Sequence, residues 1–367
     1  MARLAPADIG GGVIAWIATL LALLAGAPSA PAWGEAVREM GDRQLAGQRI
    51  LTGFSGQDIP PDLAAMIREG RVAGVVLFSN NFDSDAEAEA LIDRLRAIER
   101  PRGLRQPLLV AIDQEGGLVK RLSGPPSLSA EQMGAAGPLS AANQGSTTGR
   151  YLDGLGFNLD FAPVLDLAFP GGEIERTDRG FSPAPVVARR TALAFTKRLR
   201  REGVAATAKH FPGFGRATAN TDDVAQTIPV SRKRLRDEDE RPFRAFAREH
   251  GDVIMLANAV YPAFDPRRPA GLSRVVASHE LRRVVGFRGV SVTDSLDAAA
   301  ITALGTPEEV AGMAARAGTD LLLFPSLSSA ARAGTSLARE LRAGQLDRRP
   351  FRTSVARILR LRDSLRG

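Results

Sequence analysis

The sequence contains no cysteine and only three histidines. Without cysteine the chain has no disulfide, no thiolate metal ligand, no cysteine nucleophile and no N-terminal cysteine to be lipidated. This absence says nothing by itself about the redox compartment. The composition is otherwise ordinary, with 44% hydrophobic and 24% charged residues over 367 positions, and it excludes a disordered or fibrous protein.

Aromatic residues are also scarce, at 5% of the chain, although the chain is basic: 48 Lys and Arg against 41 Asp and Glu give a net charge of +7. The excess is spread as arginine through helical stretches. A nucleic-acid-binding protein is expected to concentrate Lys and Arg on one element, with aromatic side chains between them. We therefore expect no nucleic-acid partner, whereas a basic surface facing a cell wall or membrane stays open.

A long apolar run occurs only near the N-terminus. The run Val13–Gly26, of about 14 residues, follows a basic residue and precedes the small-residue stretch APSAPAWG. This layout is typical of a secretory signal, and the run is shorter than the roughly 20 residues of a spanning helix. Residues 1–32 are therefore predicted to be a signal peptide cleaved near Ala30 or Ala32, or an uncleaved anchor extending back to Ile9. Both predict export, and a misassigned start codon is the third alternative.

From Gly47 onward, short aliphatic runs alternate with loops and helical stretches. Eight such runs occur: QRILTGF (48–54), GVVLFSN (74–80), LLVAID (108–113), FNLDFAP (157–163), GVAATAKH (203–210), DVIMLANA (252–259), GVSVTDS (289–295) and TDLLLFPS (319–326). The helical patterns between them include Ala86–Arg100, Ala188–Glu202, Glu238–His250 and Pro307–Ala317.

This alternation predicts parallel strands joined by right-handed crossovers, and eight units predict closure into a (β/α)8 TIM barrel of the α/β class. No Pro/Ser-rich linker divides the chain after residue 45. Residues 45–367 are therefore predicted to form one barrel domain. Its end, Ser329 to Arg366, is expected to be amphipathic helix.

Polar and ionisable residues follow these runs at the points where the runs end. They are Asn80, Asp113, Asp166, Lys209 with His210, Asn258 and Asp294. In a barrel the carboxyl ends of the strands converge on one face, where sites are built. A polar residue is also what any strand-to-loop boundary shows, but six such positions together favour a site.

The segment AIDQEGGLVKRL (111–122) begins as a strand and breaks into a charged, Gly-containing loop. Asp113 at the strand end is suited to bind substrate hydroxyls, and Arg121 to clamp a carboxylate or acyl group. The alternative is a turn capped by Asp113 with Glu115 in solvent. Two glycines beside three charged residues favour a functional loop.

The segment KHFPGFGRATANTDD (209–223) carries the densest set of polar side chains. Lys209 can donate to sugar hydroxyls, and a carboxyl group on the following loop is suited to proton transfer. A purely structural role for His210 stays open. No GxxxxGK[ST] motif follows a strand, which excludes a phosphate loop.

The segment VSVTDSLDAAAI (290–301) ends an apolar strand with Asp294. A carboxylate that is desolvated on one side and held by neighbouring donors can act as a nucleophile. Asp297 is expected to cap the following helix.

The motifs DQEGG, FAPVLDL, KHFPGFG and VTDSLD occur in the order and spacing of glycoside hydrolase family 3. Over roughly residues 45 to 330 the chain resembles the single-barrel β-N-acetylglucosaminidase branch of that family. The resemblance implies an exported or anchored retaining hydrolase that removes terminal β-linked N-acetylglucosamine from peptidoglycan fragments or related amino sugars. It implies a carbohydrate substrate and a monomer, with no metal or organic cofactor.

The resemblance also implies roles for individual residues. Asp294 stands at the position of the nucleophile that forms the glycosyl-enzyme intermediate. The positions that match substrate-binding residues of the family are Asp113, Arg121, Lys209, His210 and, in RGFSPAP, Arg179.

The sequence departs from the family in the loop that supplies the acid/base. The branch has an Asp–His dyad there, and this chain has Asn220 and Asp222 at the matching positions. In one interpretation Asp222 replaces the histidine as acid/base, with Asp223 as the fallback, which restores the carboxyl pair of ordinary retaining glycosidases. In another, the barrel binds sugars with impaired turnover. A β-glycosidase of other sugar specificity is the third.

Overall fold

The structure is a computed structural model that describes residues 1–2 and 32–365. The predicted signal peptide or anchor therefore lies outside the described residues, except for residues 1, 2 and 32. Within residues 32–365 no helix combines the length and the apolar character needed to cross a bilayer.

Eight parallel strands form the barrel. They are β1 (Ile50–Thr52), β2 (Gly74–Val76), β3 (Leu109–Ile112), β4 (Leu159–Asp160), β5 (Ala205–Phe211), β6 (Val253–Leu256), β7 (Val290–Thr293) and β8 (Leu322–Phe324). Their order in the sheet is β7-β6-β5-β4-β3-β2-β1-β8, and a bridge between Val292 and Leu321 joins the two ends. Each strand overlaps one of the eight apolar runs, and only β5 extends beyond its run, by one residue, so the predicted α/β barrel is confirmed.

Helices cover the outside of the barrel. They are α1 (Ala32–Glu39), α2 (Asp42–Gly47), α3 (Pro61–Arg68), α4 (Asp85–Arg96), α5 (Ala130–Ala136), α6 (Pro138–Leu155), α7 (Glu173–Arg176), α8 (Pro185–Arg201), α9 (Arg232–Arg234), α10 (Arg241–Arg248), α11 (Ala299–Thr302), α12 (Pro307–Ala317), α13 (Leu327–Arg342) and α14 (Arg348–Asp363). Two π-helical segments are Leu235–Asp239 and Val275–Val284, and two 3₁₀ turns are Ser79–Asn81 and Ala270–Leu272. Two small antiparallel hairpins pair Gln114–Gly116 with Val119–Lys120 and Val260–Tyr261 with Asp265–Pro269.

Every second residue of a strand points into the barrel, since successive side chains alternate between faces. The buried interior cluster contains Leu109 and Ala111 of β3, Ala205 of β5, and Val290 and Val292 of β7. Ile358 and Leu361 of α14 belong to the same cluster. The interior is therefore a packed core with a separate, larger core between strands and helices.

A buried carboxylate ties the two strands at which the barrel closes. Asp320, two residues before β8, is fully buried and accepts a hydrogen bond from the backbone N–H of Ser291 in β7 at 3.0 Å. It is also paired with Arg282, and with Arg357 of α14 at 3.0 Å. Burial alone would raise the pKa of Asp320, but the two guanidinium groups and the Ser291 N–H outweigh it and hold that pKa below its usual range.

The C-terminal stretch is helical as expected, and it forms two helices, α13 and α14, because the chain turns at Gly344 (φ 69°) and restarts at the helix cap Asp347. One expectation about local structure was wrong. Asp297 does not cap α11, whose capping residue is Ala298. Its carboxylate instead accepts from the backbone N–H of Ser326 at 2.8 Å, so it links the ends of β7 and β8.

We expect Asp320→Asn to lower the free energy of unfolding by about 3 kcal/mol at neutral pH, because two partly buried arginines would lose their counter-charge. The pKa of Asp320 is lowered in the folded state, so its stabilisation is present above the usual aspartate range and is lost as the pH falls through the folded pKa. Urea unfolding at several pH values should show the two proteins converging in acid. Asp363→Asn, at an exposed position near the end of α14, is the matched control and should change stability by less than about 0.5 kcal/mol. An equal loss in both variants would contradict the role of Asp320.

Candidate active site

Three ionisable side chains continue the interior rows of the strands at one end of the barrel. Asp113 comes two residues after Ala111, Lys209 lies four residues after Ala205, and Asp294 comes two residues after Val292. Because alternation is preserved, all three point toward the mouth of the barrel at the carboxyl ends of the strands. The strand periodicity therefore brings two carboxylates and an ammonium group together from distant parts of the sequence.

Lys209 is the centre of a buried ion cluster. Its Nζ lies 2.7 Å from Asp113 Oδ1 and 2.7 Å from Glu115 Oε1. Arg179 holds Glu115 with two hydrogen bonds, of 2.9 and 2.8 Å. Arg121 donates to the other oxygen of Asp113 at 3.3 Å. Three cations and two carboxylates from three segments of chain thus fix one another at the mouth.

The charges of this cluster keep its carboxylates ionised. Burial alone would raise the pKa of Glu115, but Arg179 and Lys209 more than reverse this and hold it at about 2. Burial acts the same way on Asp113, and Lys209 and Arg121 bring its pKa below the usual range. Both carboxylates are therefore acceptors only, suited to bind the hydroxyl groups of a ligand.

His210 is oriented by a carboxylate beneath it. Its Nδ1 lies 2.7 Å from Asp166 Oδ2, and its backbone N–H donates to the same oxygen at 3.0 Å. Asp166 is fully buried, and its second oxygen accepts from the backbone N–H of Phe214 at 2.6 Å. Since Nδ1 is engaged, Nε2 is the ring nitrogen left for a ligand.

Asp294 is half-buried, and the peptide that follows it is clamped. The backbone N–H of Ser295 donates to Asp294 Oδ1 at 2.8 Å, and Asn258 Nδ2 donates to the Ser295 carbonyl at 2.6 Å. The backbone N–H of Asp294 itself bonds the Leu256 carbonyl at 3.0 Å. Within the described residues the second carboxylate oxygen, Oδ2, forms no hydrogen bond, so it is available to an incoming group.

The loop 213–227 extends from β5 over the mouth, and it is fixed at both base and tip. At the base, Arg216 pairs with Asp239 at 3.3 Å and stacks on Phe169 with 3.8 Å to the ring centre. At the tip, the backbone N–H groups of Ala299 and Ala300 donate to the carbonyls of Asp222 and Thr221, at 3.1 and 3.3 Å. These contacts place the tip against the chain that follows Asp294.

Asp222 keeps solvent-exposed surface at the mouth, and Asn220 is its neighbour. The Asp222 backbone N–H donates to Asn220 Oδ1 at 3.0 Å, and Asn220 Nδ2 lies 3.5 Å from the Asp222 carboxylate. The pKa of Asp222 is raised, first because part of its hydration is lost and then because the negative charge of Asp294 is nearby. Asp223 is exposed, and within the described residues its side chain forms no hydrogen bond or ion pair.

The structure brings all seven predicted site residues to one mouth. They are Asp113, Arg121, Arg179, Lys209, His210, Asp222 and Asp294. Asn80 does not join them, because it is exposed in a 3₁₀ turn. Among the described residues no group of three or more His, Asp or Glu side chains is arranged to hold a metal ion.

Two buried residues at the mouth were not predicted. Glu115 had no predicted role, and only the alternative of a capped turn placed it in solvent. It lies between Lys209 and Arg179 and is 5% exposed. The signal that could have found it was the local hairpin, since Gln114–Gly116 turns the chain back over the mouth. Asp166 was noted as a strand-end carboxylate but not as the partner of His210.

The family profile "Glycosyl hydrolase family 3 N terminal domain" matches residues 44–361. The chain belongs to glycosyl hydrolase family 3. It is 35% identical over 87% of its length to a protein described as an uncharacterized secreted glycosyl hydrolase of Arthroderma benhamiae, 93% of which it covers.

Two solved structures, one of them described as a glycoside hydrolase family 3 enzyme, superpose on most of the chain. The β-N-acetylglucosaminidase of Paenibacillus sp. matches with a TM-score of 0.83 and 32% identity over 88% of this chain. This chain spans only 62% of that protein. The β-N-acetylhexosaminidase of Beutenbergia cavernae matches with a TM-score of 0.80 and 32% identity, over 89% of this chain and 99% of the other. The chain is therefore a family 3 glycoside hydrolase similar to β-N-acetylhexosaminidases.

We expect Asn258→Leu to lower kcat more than it raises KM, because the Ser295 carbonyl would lose its donor and the peptide that holds Asp294 Oδ1 would loosen. We expect kcat to fall roughly 10-fold, which corresponds to the loss of one hydrogen bond. Steady-state kinetics on an aryl glycoside measure kcat and KM. Ser295→Ala is the matched control, since Ser295 takes part through backbone atoms alone. An equal loss in the two variants, or a change in KM only, would contradict this role.

Proposed function

We propose that the protein is a retaining glycoside hydrolase that releases terminal β-linked N-acetylglucosamine, with Asp294 as nucleophile and Asp222 as acid/base. The observation that carries the proposal is the pairing of two carboxyl groups with different environments at one mouth. Within the described residues, one carboxylate oxygen of Asp294 accepts no hydrogen bond, and it lies at the end of the packed barrel interior. The pKa of Asp222, on the loop over the same mouth, is raised. Retaining glycosidases use such a pair.

The ion cluster around Lys209 supplies the binding side of the site. Asp113 and Glu115 accept hydrogen bonds from sugar hydroxyls, and Lys209, Arg179 and Arg121 keep them ionised and oriented. His210 adds a hydrogen bond from Nε2. Because every member is held by another, the sugar enters a preorganised site, which lowers the cost of positioning its anomeric carbon.

The first chemical step forms the glycosyl-enzyme bond. Asp294 Oδ2 attacks the anomeric carbon, and the bond from that carbon to the leaving oxygen breaks. Asp222 gives its proton to the leaving oxygen, so the aglycone departs as a neutral alcohol. In the second step the Asp222 carboxylate takes a proton from water, the water oxygen bonds the anomeric carbon, and Asp294 leaves. Two displacements retain the β configuration.

We propose peptidoglycan fragments or related amino sugars as substrates and an extracytoplasmic location. Two observations support this proposal: residues 1–32 have the layout of a secretory leader, and one relative is described as secreted. The catalytic barrel is assigned to residues 45–367, in keeping with the family match to residues 44–361.

A second candidate is a barrel that binds sugars and turns them over poorly. One observation favours it: Asp222 is largely exposed, and loop 213–227 has no histidine. The two candidates differ in whether the chain releases product from an aryl glycoside.

We expect Asp294→Asn to reduce hydrolysis of an aryl β-N-acetylglucosaminide at least roughly 10³-fold, because the amide is a poor nucleophile. Circular dichroism should show an unchanged fold. In the wild type, proton NMR should show the β anomer of the sugar as the first product. A wild-type rate in the variant, or an α anomer formed first, would overturn the assignment. Aryl glucoside and xyloside, run in parallel, identify another sugar specificity.

We expect Asp222→Asn to slow substrates with poor leaving groups by roughly 10²- to 10⁴-fold, and activated aryl glycosides far less. The wild-type kcat/KM should fall as the pH rises through the raised pKa of Asp222, since the acid must be protonated. The variant should lose this alkaline limb. Asp223→Asn is the matched neighbour and should behave like the wild type; if Asp223→Asn shows the loss instead, Asp223 is the acid. Absence of product from all three proteins, with sugar binding retained, would select the second candidate.

A further inference from the structure

The outer wall of the barrel carries an arginine-lined cleft between α8 and α10. The cleft has a volume of about 340 Å³ and is lined by Arg189, Arg236, Arg241, Arg244 and Arg248, with one carboxylate, Asp237. An adjoining cleft of about 490 Å³ shares Arg189 and Arg248 with the first, and Arg190, Lys197 and Glu249 also line it. We call the surface formed by both clefts the α8–α10 face.

Most of the positive charge of this face is not neutralised. Arg236 is bound by Glu280, and Arg244 by Glu240. The remaining cations form no ion pair or side-chain hydrogen bond within the described residues: they are Arg189, Arg190, Lys197, Arg241 and Arg248. Asp237 is itself paired with Lys233. Five unpaired cations on two adjacent helices attract a multiply anionic partner.

Exposed aliphatic side chains border the same face. Val186 and Val187 of α8 are 46% and 41% exposed, and Leu139 at the start of α6 is 78% exposed. Val186 lies three and four residues before Arg189 and Arg190, so it lies beside them on the helix surface. Pro138, the neighbour of Leu139, lines the cleft that contains Arg190. The face therefore combines unpaired cations with solvent-exposed aliphatic side chains.

We propose that the α8–α10 face docks the protein onto an anionic phospholipid bilayer. Guanidinium groups form bidentate hydrogen bonds with phosphate, and each cation near an anionic bilayer adds binding energy. The aliphatic groups at the border enter the boundary between headgroups and acyl chains. A surface that binds nucleic acid is instead expected to expose aromatic side chains. Among the described residues none of the exposed large hydrophobic side chains is aromatic.

Docking through this face leaves the mouth of the barrel free. The face lies on the side wall, beside β5 and β6, whereas Asp294 and Asp222 lie at the carboxyl ends of the strands. The proposal does not depend on the hydrolase mechanism, because it rests on surface groups that take no part in the site.

The opposite wall offers a matched comparison. β1 lies across the barrel from β5, and the wall beside it has a cleft lined by Arg43, Arg71, Arg339 and Arg342 together with Glu69. Arg71 there is paired with Glu69. None of the exposed large hydrophobic side chains of the described residues lines this cleft. Its exposed arginines can therefore be removed as a control for net charge alone.

The test is co-sedimentation with vesicles of phosphatidylcholine alone and of equal parts phosphatidylcholine and phosphatidylglycerol. The variant R190Q/R241Q/R248Q and the control R43Q/R339Q/R342Q each change the net charge from +7 to +4. We expect a roughly 100-fold fall in partition onto the anionic vesicles for the first and less than about threefold for the control. Binding by the wild type should weaken with added salt.

The comparison is made in the full chain and repeated in a chain that starts at residue 32, which contains every strand of the barrel and lacks the apolar run Val13–Gly26. Thermal unfolding confirms that each variant folds, whatever the outcome for hydrolysis. Equal losses in the two triple variants, or no partition of the chain from residue 32 onto anionic vesicles, would overturn the proposal.

A third variant, L139S/V186S/V187S, separates a bilayer from a soluble polyanion. We expect it to lose vesicle binding and to keep any affinity for inorganic polyphosphate, because only a bilayer offers an apolar phase to these side chains. Tight binding of polyphosphate without binding to vesicles would show that the partner is a soluble polyanion, and would exclude the bilayer.

Discussion

A buried ammonium group between two carboxylates is the interaction on which the site depends. Lys209 needs both Asp113 and Glu115, and Glu115 needs Arg179, because an unpaired buried charge is far more costly than a paired one. The strands β3 and β5 and the hairpin after β3 must therefore come together as one unit. Barrel closure, tied at β7 and β8 by Asp320, sets the distance between the strands that carry these charges.

The mouth has two sides that are built by different means. One side is the ion cluster, whose charged groups orient one another, and its carboxylates are ionised at neutral pH. The other side is a loop that brings a single carboxyl group toward Asp294, where it loses part of its hydration. The two environments give the carboxylates of the ion cluster and the carboxyl group of the loop different pKa values. Such a difference is what acid/base chemistry requires. In the proposed mechanism, the ion cluster binds the sugar and the loop carries the group that transfers the proton.

Much of the fold was predictable because strand alternation and the end of each apolar run are local properties of the sequence. Asp113, Lys209 and Asp294 were found in this way. Glu115 was harder, because its burial depends on Arg179, 64 residues further along the chain, which no local pattern reveals. Asp297 was assigned to the nearest helix, whereas its partner Ser326 comes from the next strand end. Local sequence patterns could not predict which distant residues pair with these charged groups.

The tip of loop 213–227 is held against the chain after Asp294 by backbone carbonyl groups, not by the Asp222 side chain. Ala299 and Ala300 bond the backbone of Asp222 and Thr221, and Arg216 fixes the base. The side chain at position 222 can therefore be replaced without loss of the hydrogen bond from Ala299. Placement of the proposed proton donor is thereby separated from its chemical identity. The same backbone can present a different acid at position 222, so the proton donor of the proposed mechanism is a replaceable side chain.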